Sequence, residues 1–168
     1  MGRQYPDPQQ REDYAGFVCV FYNEAAAIYC ETGLTIELIG ENTVSGPIGN
    51  NTNEIYSSFG IYSSDGNITI TGDGVLNVTG GTVTNIDNSA YSYGISAVGV
   101  TISGGEVTAS GGTATSSEGD AESYGIYVGD GVLNVTGGEV TAPAARRNPQ
   151  AWTATPPATA SIPMTKLP

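Results

Sequence analysis

Four short markers constrain this chain more than anything else in it. Ala27-Ile28-Tyr29, Gly60-Ile61-Tyr62, Gly94-Ile95-Ser96 and Gly125-Ile126-Tyr127 recur at steps of 33, 34 and 31 residues. Self-similarity at such a period is the signature of a solenoid or array, in which each unit buries its apolar face only against its neighbours. A longer identity runs through the same region: GDGVLNVTGG occupies Gly72–Gly81 and again Gly129–Gly138. In three of the markers an aromatic residue, Phe59, Tyr93 or Tyr124, precedes the glycine.

Behind each marker comes a short run with apolar residues at every second position: Leu34–Leu38, Ile68–Thr71, Val100–Ser103 and Leu133–Thr136. Period-two alternation predicts a half-buried strand. Gly-rich turns follow (Gly72-Asp73-Gly74, Gly104-Gly105, Gly137-Gly138), and then a further short strand, Thr82-Val83-Thr84, Glu106-Val107-Thr108 or Glu139-Val140-Thr141. Each period therefore reads as about three strands and three bends. One longer polar loop completes it: Ser45–Ser58, Asn85–Ser92 or Ser110–Ser123. No helical period interrupts the pattern, and the leucine-rich frame L-x-x-L-x-L-x-x-N is absent.

The expected fold is all-β: a right-handed parallel β-helix of about three to four coils, the hand following the crossover preference of parallel strands. Coils stack at about 4.8 Å, strand on equivalent strand. Two inward columns follow, Ile28–Ile61–Ile95–Ile126 and Ile36–Ile70–Ile102–Val135. The expected division is a polar N-terminus and cap at 1–26, repeats at 27–142 (27–59, 60–93, 94–124 and 125–142), and a Pro-rich disordered tail at 143–168. That tail holds six of the nine prolines and the one Trp. It is expected to add no strand, and its abrupt composition reads as the end of a truncated array.

The polar start, Met1–Asp13, has no apolar core of a signal peptide. Ala15–Cys30 is the most apolar stretch, and its Phe17–Tyr22 core is too short to span a bilayer. It is expected to cover the N-terminal end of the solenoid as a strand or short helix. Cys19 and Cys30, the two cysteines, have no histidine with which to complete a zinc site. A disulfide suits an exported chain; Cys30 also fits as a small residue at the repeat position of Ser63.

The formal charge of −12 is unevenly spread: sixteen of the seventeen acidic residues, and none of the five basic ones, lie between Glu12 and Ala145. Such a body should repel nucleic acid and anionic lipid. It also lacks a basic residue to bind a polyuronate or abstract its proton. Hydrolysis needs converging carboxylates; Asp65, Asp73, Asp87 and Asp130 are of the right type, but each sits where a turn residue would. Glu106 and Glu139 hold equivalent positions and are the candidate Ca²⁺ ligands, although a hard cation wants six or more oxygens; no other cofactor is indicated. Thr69, Thr71, Thr101 and Ser103 form an outward hydroxyl grid, broken by Glu37 and Asn134. Tyr29, Tyr62 and Tyr127 follow the marker isoleucine and point outward, with Ser96 interrupting their column. They are the candidate glycan contacts, since an exposed aromatic offers an apolar face and a polar tip. An ordinary cross-strand aromatic ladder is the competing reading.

The stretches LTIELIGENTVSG, GIYSSDGNITITGDGVLNVTGG and GVTISGGEVTASGG resemble the coils of bacterial surface and secreted β-helix proteins of the carbohydrate-binding-domain-containing type. The resemblance covers Ala27–Ala142. It implies an extracellular or cell-surface location and glycan or cell-wall polymer as partner. The function expected is a non-catalytic structural or adhesive repeat region with weak neutral-glycan binding. The alternative is a polysaccharide lyase or hydrolase of the β-helix class. Self-association through open solenoid ends is a further expectation; membrane insertion and nucleic-acid binding are not expected.

Overall fold

The structure, a computed structural model, describes residues 19–20, 25–50, 56–143 and 146–148. The described residues contain strands and turns and no helix. Fifteen strands run in a repeating order through four parallel sheets. The first coil holds β2 (Ala26–Cys30), β3 (Leu34–Leu38), β4 (Glu41–Ser45) and β5 (Gly49–Asn50), one in each of sheets A, B, C and D. The second holds β6 (Ser57–Ser63), β7 (Asn67–Gly72), β8 (Val75–Thr79) and β9 (Val83–Asn85). The third holds β10 (Ala90–Ala97), β11 (Gly99–Ile102), β12 (Glu106–Ser110) and β13 (Ala114–Ser116). Of the fourth, the described residues hold β14 (Ala121–Val128), β15 (Leu133–Val135) and β16 (Glu139–Thr141), in sheets A, B and C. All pairings between coils are parallel. The molecule is a β-helix of about three turns.

Both inward columns form in the expected register. Ile28 pairs with Ile61, Ile61 with Ile95 and Ile95 with Ile126; Ile36, Ile70, Ile102 and Val135 align likewise. The middle members, Ile61, Ile95, Ile70 and Ile102, are fully buried, whereas the end members are only half-buried. Each buried aliphatic side chain contributes about 1.5–3 kcal/mol, and that burial requires a coil on both sides.

A coil has four strands, not three. The fourth lies within the segments expected to be polar loops: β5 within Ser45–Ser58 and β13 within Ser110–Ser123. Thr82-Val83-Thr84 overlaps β9 of sheet D and is not the counterpart of Glu106-Val107-Thr108, which overlaps β12 of sheet C. A small second core of Val83, Ala90, Ala114 and Ala121 holds sheet D against sheet A. Its polar ends are internally satisfied: Asn85 is buried, and its Oδ1 accepts from the amides of Asp87 and Asn88, both at 3.1 Å.

A column of serines runs along sheet A, against the corner between sheets C and D. Ser58 donates its hydroxyl to Pro47 O at 2.7 Å and accepts from the Gly81 amide at 3.0 Å. Ser92 donates to Gly81 O at 2.7 Å and accepts from the Gly112 amide at 2.8 Å. Ser123 donates to Gly112 O at 2.9 Å. These bonds satisfy buried backbone groups that the strand ladders leave over.

Sheet A has an extra strand at each end. β1 (Cys19–Val20) pairs antiparallel with β2, and β17 (Arg146–Asn148) pairs antiparallel with β14. β1 lies within the segment expected to cap the N-terminal end; residues 1–18 and 21–24 lie outside the described residues. β17 corrects the expectation that the segment after Ala142 adds no strand. Outer amides and carbonyls of β14 form an edge that even a short polar segment can pair with; 144–145 and 149–168 lie outside the described residues. Cys30 is disulfide-bonded and buried. No cysteine is free, and the chain's other one, Cys19, is the register partner of Cys30 across β1 and β2.

Candidate functional site

The outer surface of sheet A carries most of the aromatic residues of the coils, and a break in strand parity puts them there. In β6, Ser58 and Ile61 both face the core, so alternation fails between them, at Gly60. A Cβ on Gly60 would lie 2.5 Å from Val78 Cγ2 and 2.7 Å from Gly94 O. Only glycine fits, and the strand bends there. As a result Phe59 and Tyr62, three residues apart, both face outward, with rings stacked at 4.3 Å and 13°. Gly94 and Gly125 repeat the bend in β10 and β14, with backbone equally close.

The rings form one continuous ladder. Tyr29 and Tyr62 are register partners with ring centroids 5.5 Å apart at 37°. Phe59 stacks on Tyr93 at 4.9 Å and 9°, and Tyr93 on Tyr124 at 5.3 Å and 11°. Tyr127 closes the ladder edge-on, 5.4 Å from Tyr93 and 5.6 Å from Tyr124. The three tyrosines expected as glycan contacts thus belong to one surface, joined through Phe59, Tyr93 and Tyr124. The gap expected at Ser96 is absent as a surface feature: Ser96 lies between Tyr62 and Tyr127 in register and is only 6% exposed. Sequence reasoning recorded the aromatic before each glycine but placed no ring from it on this face. The glycine that forces the bend is the signal that would have done so.

Stacking at these distances uses up most ring faces. What the ladder offers solvent is ring edges and phenol hydroxyls, together with Tyr127, which is 43% exposed. Polar groups line it: the Tyr29 hydroxyl lies 3.3 Å from Ser64 Oγ, and Tyr124 donates to the buried carboxylate of Glu122. Burial raises the Tyr93 hydroxyl above the usual tyrosine range, with further increments from Tyr124 and Glu122. Tyr62 is raised too, by burial first and then by Tyr29 and Asp65. Both remain neutral donors at physiological pH.

The other candidates are dispersed. Asp65 and Asp130 lie at the corner between sheets A and B but two coils apart; Asp73 lies between B and C, and Asp87 between D and A. All four are exposed turn residues, and Ser64 Oγ donates to Asp65 at 3.0 Å. The structure brings no two of these four onto one coil corner. Glu106 and Glu139 are direct register partners, both exposed, in a column whose other members are Val75 and Glu41. No group of three or more His, Cys, Asp and Glu side chains among the described residues could hold a metal ion. The hydroxyl grid aligns Thr69 with Thr101, bounded by Asn134 on one side. Thr71 lies beside Glu37, and Ser103 turns its hydroxyl to Ile70 O at 3.3 Å. No helix among the described residues is long and apolar enough to cross a membrane. Comparison with protein-family models, with curated proteins and with solved structures finds no match to this chain.

Proposed function

We propose that this chain is a non-catalytic structural or adhesive repeat region of a bacterial cell-surface or secreted protein, and that it makes weak contact with neutral glycan along the aromatic outer face of sheet A. The observation that carries the reading is the outward ladder from Tyr29 to Tyr127, with its neutral phenol hydroxyls and one well-exposed ring. Phenol groups exchange hydrogen bonds with sugar hydroxyls, and Tyr127 supplies the ring surface that the stacked members cannot. Weakness follows from how little ring face is free. Preference for uncharged ligands follows from the acidic body, whose field repels polyuronates.

A glycan array with the full chain tests this. The expected result is binding to uncharged glycans alone, reduced by Tyr127→Ala with little change in stability and abolished by the triple Tyr29, Tyr62, Tyr127→Ala variant. Cleavage of polygalacturonate, with or without Ca²⁺, would replace this reading with a lyase.

A further inference from the structure

The sheets end differently. Among the described residues, the outermost strands of sheets B and C, β3 and β4 at one end and β15 and β16 at the other, each have a hydrogen-bonded neighbour on one side only. Sheet A instead continues past β2 to β1 and past β14 to β17, with the chain direction reversed at both ends. It is therefore one strand spacing longer at each end, about 4.8 Å.

The open ends of sheet B belong to the same columns. Leu133, 46% exposed, ends the column Leu34–Ile68–Val100–Leu133, and Val135 ends the column that Ile36 begins. A coil laid in register on the fourth would put Leu34 on Leu133 and Ile36 on Val135, repeating the contacts found at every other step. The occupant that matches strand direction, corner spacing and column order is the first coil of a second copy.

We propose that the two ends are self-complementary, head to tail, and that β1 and β17 are the strands that keep copies apart. With both in place, β17 of one copy and β1 of the next must fit between β14 and β2. That holds β15 and the second copy's β3 about three strand spacings apart, roughly 14 Å, beyond hydrogen-bonding reach. Unpaired parallel edges invite such addition, and an end strand of opposite direction blocks it. Glu139 and Glu41 also share a column and meet in the stack, so association is strongest where salt screens them, at about 1 M.

Sedimentation velocity on the full chain in high salt is the test. The unmodified protein should stay monomeric. Under reducing conditions, which free β1 from the cystine, the Val20→Pro/Arg147→Pro variant, in which proline removes a backbone donor from each end strand, should show a mass that rises with concentration and at least doubles. Adding Leu133→Lys should return it to monomer. If the double variant loses its strand circular dichroism, Arg147→Glu under reducing conditions takes its place, since it sets a carboxylate opposite Glu122 and frees β1 from the cystine. Association of the unmodified chain, a folded but monomeric double or replacement variant, or association that survives Leu133→Lys would each overturn the proposal.

Discussion

Gly72–Gly81 crosses sheet C of the second coil, with β4 on one side and β12 on the other; Gly129–Gly138 crosses sheet B of the fourth coil, with β11 on one side and, among the described residues, no strand on the other. The ten residues are the same in both. Their side chains alternate alike: Leu76 and Val78 face in, as do Leu133 and Val135, while Asn77 and Asn134 face out. Burial does not follow the text. Leu76 is 2% exposed and Leu133 46%. Backbone conformation does not follow it either. The first glycine has φ +96° in one copy (Gly72), and the last has φ +81° in the other (Gly138). Both lie at the corner between sheets B and C, where Gly40 and Gly105 also take positive φ. Local pattern sets which way a side chain points, the neighbouring coil sets how far it is buried, and the corner sets which glycine turns.

The sharpest test of that division is leucine truncation. Leu76→Ala should cost about 2–5 kcal/mol, the range for a fully buried leucine, while Leu133→Ala should stay below about 1 kcal/mol, as for a site already open to water. Equal losses in chemical denaturation would break the comparison.

Alanine at the first glycine of each copy should separate the two by less. Gly72→Ala meets Leu38 O at 2.4 Å in a positive-φ backbone, so a loss of about 2 kcal/mol is expected from conformation and crowding together. At Gly129 the nearest atom is 3.7 Å from the new Cβ and φ is ordinary. That variant should unfold within about 0.5 kcal/mol of the parent.

Smaller again is the effect of removing a serine from the inner column. Ser92→Ala strips partners from Gly81 O and the Gly112 amide, and should lower stability by about 1 kcal/mol. Ser123→Ala, at the last described link, should lower it less, measured the same way. The smallest effect is alkaline. Because the folded-state value of Tyr93 is raised, its contribution is complete below about pH 10 and declines as pH climbs toward the folded value. The urea midpoint should therefore fall above about pH 10, and Tyr93→Phe should flatten that fall.

The period and the columns were legible because isoleucine recurs where each coil must fill the same interior volume. Sheet D was legible only as the strand at Thr82-Val83-Thr84, and that was matched to strands of sheet C. Val83 and Ala114 are small, their strands span three residues, and Asn85 and Ser116 look like loop residues although both are buried. The repeated decapeptide did not mislead: its two copies are 57 residues apart, which is no whole number of coils, and period-two alternation set Leu133–Thr136 with Ile68–Thr71, as the register has it. The aromatic site was half visible: Tyr29, Tyr62 and Tyr127 followed from the marker. Phe59, Tyr93 and Tyr124 joined them through a bend whose cause, backbone too near for any Cβ, exists only once the coils are stacked. β17 had no signal, because its pairing draws on an edge that β14 supplies and not on any pattern of its own.

The serine column gives the rod a direction. In every link the donor lies later in the chain than the acceptor: Ser58 to Pro47, Gly81 to Ser58, Ser92 to Gly81, Gly112 to Ser92, Ser123 to Gly112. Hydrogen bonds aligned in this way polarise one another, so each strengthens its neighbours. A solenoid with one more coil would add a link and also reinforce every existing one. The interior of this molecule thus carries a short relay of hydrogen bonds that passes one way, from the fourth coil toward the first.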